Sequence, residues 1–152
     1  MLFAGPVAEL GTALLPSEAI LGPFLGMMLL TLVVWLFMYA RRIHFMVTHK
    51  IAAQRLTTPE RAAELIPEPV ARASNNLKNL FELPVLFYAL CLYFYITASV
   101  DTVAVACGWA FLGLRALHSV VHCGPNIVLL RFALYVASSI VLWTMLIRAV
   151  LG

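Results

Sequence analysis

Two groups of polar residues interrupt otherwise oily sequence, and both repeat at helical spacing. Arg72, Asn76 and Asn79 stand at i, i+4 and i+7, which places them on one helix face. Arg115, His118 and His122 stand at i, i+3 and i+7, again on one face. Arg131 and Tyr135 lie four apart and share a third. Arginine stays charged and offers a carboxylate two parallel donors. Amides and imidazoles add neutral hydrogen bonds around it. Such a set suits an anionic, carboxylate-rich ligand. A guanidinium beside a thiol also favours the thiolate, which is the reactive nucleophile.

The elements that carry these residues are set by composition. Of 152 residues, 63% are apolar and 11% charged, against about one half and one quarter in a soluble domain. In water such a chain would expose far more apolar surface than a monomer tolerates. A span takes about 20 apolar residues, so this length allows at most four or five spans and no separate soluble domain. Four stretches qualify, at about 20–44, 71–98, 102–122 and 127–150. They predict an all-α transmembrane four-helix bundle forming one domain over 1–152. A β-barrel is disfavoured because the runs are continuous rather than alternating. No internal repeat or low-complexity segment is present.

The connections carry their own signals. Thr58-Pro59-Glu60-Arg61 reads as N-cap, first-position proline and acidic first turn, which predicts a short helix over Pro59 to Leu65. Pro84 predicts a kink in the second span. Asp101 reads as the N-cap of the third. Cys123-Gly124-Pro125-Asn126 reads as C-cap, stop and next N-cap. Arg41, Arg42, Lys50, Arg55 and Arg61 crowd the first connection, while the N-terminal tail and second connection hold no Lys or Arg. The first and third connections then face the cytoplasm and both termini the opposite side. The helical polar groups converge on the cytoplasmic leaflet, in one cationic pocket. Met1 to Glu18 carries two acids and no base, which argues against a cleaved signal peptide.

Plainer roles compete for some of these residues. Arg41 and Arg42 serve as topogenic charges. Lys78 can snorkel, and Glu82 can pair with it at i+4. Cys91, Cys107 and Cys123 are an odd number in apolar runs, with no CxxC, and read as small buried residues. His118 and His122 could share one metal ion, whereas a bis-His haem needs histidines on two helices. The expectation is no metal. The net charge of +3 is confined to loops and isolated intramembrane sites, so no nucleic-acid partner is expected.

These residues resemble the MAPEG superfamily, the membrane-associated proteins of eicosanoid and glutathione metabolism. Microsomal glutathione transferases, leukotriene C synthase and microsomal prostaglandin E synthase belong to it. The resemblance runs from about Arg72 to Ser139, and the four-span layout covers nearly the whole chain. The family's second helix carries Arg, then Asn at i+4, Glu at i+7 and Pro at i+11. Arg72 and Asn76 match, Asn79 takes the glutamate's place, and Pro84 comes one residue late. Prostaglandin E synthase carries Arg, His at i+3, Tyr at i+7 and Arg at i+16. Arg115, His118 and Arg131 match, and His122 takes the tyrosine's place.

The resemblance implies a homotrimer with glutathione as co-substrate, bound between neighbouring subunits near the cytoplasmic side. It assigns glutathione contacts to Arg72, Asn76, Asn79, Arg115, His118, His122 and Tyr135. Arg131 becomes the catalytic residue that stabilises the thiolate. The implied activity is that of a glutathione-dependent transferase or peroxidase-like protein in a bacterial inner membrane. Lipophilic small-molecule electrophiles would arrive through the lipid bilayer. Asn79 is a weaker partner for an ammonium than a carboxylate. The alternative is therefore a non-catalytic subunit or scaffold of the same fold, attached to a larger membrane complex.

Overall fold

The computed structural model describes residues 15–151, so the reading of the first residues as no signal peptide lies largely outside them. A 3-10 turn at Ser17–Ile20 runs straight into α1 (Leu21–Thr48). Four residue ranges are each long and apolar enough to cross a membrane: Ser17–Thr48, Glu68–Ile96, Thr102–Cys123 and Val128–Leu151. The described residues form helices and turns, without a β-strand.

Between the first two spans the chain makes a 3-10 turn (Ala53–Leu56) and then α2 (Pro59–Leu65), the short helix expected there. Thr58 Oγ1 accepts from the Arg61 N–H at 3.3 Å. The Glu60 carboxyl is held below the usual carboxylate range by a backbone hydrogen bond and by the Thr58 hydroxyl, as suits an acid in a first helical turn.

The second span is not one kinked helix. It is two helices, α3 (Glu68–Leu80) and α4 (Leu83–Ile96), separated by a break at Phe81 and Glu82. Pro84 has no N–H to offer the Leu80 carbonyl, and its ring would crowd that oxygen. At the second position of a new helix the same ring is tolerated, because those N–H groups have no intrahelical partner anyway. The break also undoes the expected Lys78–Glu82 pair. The ion pairs among the described residues are Arg61–Glu64, Arg72–Glu68 and Arg148–Asp101.

Asp101 caps α5 (Thr102–Cys123) by accepting from the Ala104 N–H at 2.7 Å. Its other oxygen pairs with Arg148 near the end of α6 (Val128–Leu151), closing one end of the bundle. At the opposite end the chain turns through Gly124. A Cβ there would sit 2.9 Å from the Val120 carbonyl, so only glycine fits the turn. Asn126 is not the N-cap expected of it. Its backbone is left-handed, with φ 53°, a conformation asparagine tolerates, and its side chain reaches elsewhere.

α5 packs on α6, α1 on α3 and α5, and α4 on α6. The shared core holds Ile20, Met27, Phe87, Phe111, Leu142 and Met145, all fully buried. Phe87 of α4 and Phe111 of α5 stack with centroids 4.5 Å apart. Gly108 lets α5 approach α1 closely, since a Cβ would lie 2.8 Å from Pro23 Cγ. The outward faces are apolar, with Leu29, Leu129 and Ile140 well exposed, as lipid or a neighbouring subunit requires.

Candidate functional site

A cavity of about 490 Å³ lies between the α3–α4 break, α5 and the start of α6. α3 contributes Asn75, Lys78 and Asn79, and the break contributes Glu82. α5 contributes His118 and His122, and α6 contributes Val128, Arg131, Phe132 and Tyr135. Val128 and Phe132 are 64% and 63% exposed, so the cavity opens on the outer surface of the subunit.

Five of the residues picked out from sequence therefore share one wall: Asn79, His118, His122, Arg131 and Tyr135. Arg115 lies directly behind it, with no exposed surface. Its Nη2 donates to the Asn79 carbonyl at 2.5 Å. Its guanidinium sits 5.5 Å from the centre of the Tyr135 ring, within cation–π range. Its Nε and Nη1 have no hydrogen-bond partner. The break places this carbonyl where it can be reached, because helix ends leave carbonyls without intrahelical donors.

The two histidines are set in opposite senses. The Arg131 carbonyl lies 3.1 Å from His118 Nδ1. A carbonyl only accepts, so this nitrogen carries the proton, and in the neutral ring Nε2 is an acceptor. Nε2 is buried and unpartnered. His122 Nδ1 instead faces the Asn79 amide nitrogen at 3.3 Å. It accepts, and Nε2 of that ring carries the proton. The cavity wall thus holds cations at Arg131 and Lys78, the His122 ring and a carboxylate at Glu82, while the free acceptor nitrogen of His118 is buried within the wall.

Arg72 and Asn76 are not brought to this wall. Arg72 grips Glu68 with two 2.8 Å hydrogen bonds and donates to the Gly124 carbonyl at 2.7 Å. Asn76 is fully buried between α3 and α5, where its amide reaches Cys123 Sγ and accepts from Ser119, both at 3.5 Å. No group of three or more His, Cys, Asp or Glu residues able to hold a metal is found among the described residues.

The sequence patterns assign no site role to Asn75, Phe132 or Glu68, read Asn126 only as a helix cap, and leave Lys78 and Glu82 as a snorkelling cation and its partner. Two signals were present. Glu68 precedes Arg72 by four residues, the favoured order for a helical ion pair. Asn75 precedes Asn79 by four and so shares its face.

Four helical spans long and apolar enough to cross a membrane, three of which line a polar cavity near one end of the bundle, define a multi-pass integral membrane protein. The MAPEG family model matches residues 20–151, nearly the whole chain, and the chain belongs to the MAPEG family. Neither the curated proteins nor the solved structures hold a match to it.

Proposed function

We propose that this protein is a membrane-bound, glutathione-dependent transferase or peroxidase-like enzyme acting on lipophilic electrophiles. One observation carries the reading: Arg115 is fully buried behind the cavity with Nε and Nη1 unpartnered. A buried guanidinium with two N–H groups left unpartnered is costly, and an anionic ligand in the adjoining cavity relieves it. Family membership supports glutathione, a molecule with two carboxylates and a thiol, as that ligand.

In this reading the carboxylates are drawn by Arg131, Lys78 and the charge of Arg115. Asn79, His122 and Tyr135 orient the peptide. Arg131 stabilises the thiolate, and the thiol proton passes to water in the cavity. The sulfur then forms a bond to an electrophilic carbon, and the proton leaves with the departing group. Preformed charge and proximity supply the rate. The cavity mouth between α3 and α6 gives a bilayer-dissolved substrate its way in. The working assembly is a homotrimer that completes each site at a subunit interface. It sits in a bacterial inner membrane, with both termini on the non-cytoplasmic side.

Calorimetry of glutathione with the detergent-solubilised protein, together with the ultraviolet band of bound thiolate, tests this. The band should appear in the wild type and vanish in Arg131→Ala, with conjugation slowed by about 10²–10³-fold. A protein that binds no glutathione sinks the reading. The second reading is a non-catalytic subunit or scaffold within a larger membrane complex. It is favoured by Asn79, whose amide is already engaged with His122. It expects stable co-purification with that complex and no thiolate band.

A further inference from the structure

The hydrogen bonds around Arg131 form a chain that runs away from the cavity. Arg131 Nη1 donates to Asn126 Oδ1 at 2.7 Å. Asn126 Nδ2 donates to Glu68 Oε1 at 2.9 Å. Glu68 is held through both oxygens by Arg72, and Arg72 donates its remaining reach to the Gly124 carbonyl. The direction is forced at every link. A guanidinium can only donate and an ionised carboxylate can only accept, so the amide between them must point its oxygen at Arg131 and its nitrogen at Glu68. The left-handed backbone of Asn126 is what turns the side chain into this bridge.

The geometry points to a positioning relay: Arg72, Glu68 and Asn126 hold the Arg131 guanidinium on the cavity wall, and Arg72 is a support rather than a ligand contact. Arg131 sits on the first turn of α6, within reach of the membrane interface. A long cationic side chain there would otherwise extend toward water and headgroups. Asn126 supplies the anchor that keeps it inward. Glu68 fixes the anchor, and Arg72 fixes Glu68 while tying α3 to the α5–α6 turn. This inference rests on the proposed function, because it assigns Arg131 a thiolate to stabilise.

Asn126→Gly is the critical variant, since glycine accepts the left-handed backbone and removes only the bridging amide. The readout is the pH midpoint of the bound thiolate band in detergent-solubilised protein, with helix content checked by circular dichroism. A purely structural role would leave that midpoint in place. The relay predicts a rise of about one pH unit, a tenfold loss of thiolate at fixed pH, the size expected for one charged hydrogen bond. Glu68→Gln keeps one acceptor but not the two-point grip on Arg72, and should fall between. An unmoved midpoint in a folded Asn126→Gly protein overturns the relay. A wild type that never shows the band refutes the proposed function instead. The relay is then judged in ligand-free protein by a double-mutant cycle of Asn126→Gly and Arg131→Gln. Non-additive melting temperatures uphold it, and additive ones overturn it.

Discussion

Arg115→Met separates what the buried guanidinium does for the fold from what it does for a ligand. Methionine has a similar length and flexibility, so the cavity wall keeps its shape. The substitution removes the hydrogen bond to the Asn79 carbonyl, about 1.5–3 kcal/mol for a charged donor. It also removes the contact with the Tyr135 ring, about 1–2 kcal/mol when desolvated. On the other side stand two N–H groups with no acceptor, about 1–3 kcal/mol each, and the desolvation of the charge, several kcal/mol more. The ligand-free variant should therefore be as stable as the wild type, or more stable by up to about 3 kcal/mol. At about 2–4 °C per kcal/mol for a chain of this size, its melting temperature should stay level or rise. Glutathione affinity should fall at least about 30-fold, as when one member of a buried charge pair is truncated. Thermal melts with and without glutathione, and calorimetry on the same preparations, read both numbers. A ligand-free loss of more than about 3 kcal/mol would show that the guanidinium serves the fold, and the argument for an anionic ligand would fail. Undiminished binding would refute it equally.

Two further expectations concern the scaffold. Asp101→Ala removes both the α5 cap and the partner of Arg148. It should cost about 2–4 kcal/mol, a cap being worth about 1 and a partly buried pair the rest; calorimetry should show glutathione affinity unchanged, because Asp101 does not line the cavity. Gly108→Ala should cost about 1–3 kcal/mol by overpacking, since its Cβ would press on the Pro23 ring; a melt that matches the wild type would mean the α1–α5 contact is looser than its geometry implies.

Much of the fold was legible because its signals are local. Hydrophobic run length gave the four spans, and the caps at Thr58 and Asp101 act within four residues of themselves. Pro84 was harder. Its effect falls on the carbonyl four residues earlier, so the helix stops before the proline rather than at it. That shift moved Glu82 out of reach of Lys78 and opened the Asn79 carbonyl to Arg115. The Asp101–Arg148 pair joins residues 47 apart in the chain and depends on how α5 and α6 pack, which no local pattern encodes. On the cavity wall, the i, i+3, i+7 spacing located the α5 residues. The same spacing placed Arg72 and Asn76 together with Asn79 but could not say which would face the cavity. Arg72 turns aside because Glu68, one helical turn earlier, competes for it, and a span drawn from residue 71 leaves that acid out.

The interrupted second span has a bearing on how a bilayer tolerates Arg115 at all. A helix that stops part-way along a membrane span presents the negative pole of its dipole there, in a medium that screens it less than water does. Arg115 Nη2 meets that pole at the last turn of α3. The stop in the backbone and the cation are thus one device, each making the other affordable in hydrocarbon. An uninterrupted helix would offer its carbonyls to its own N–H groups and leave the arginine with nothing in the backbone to hold.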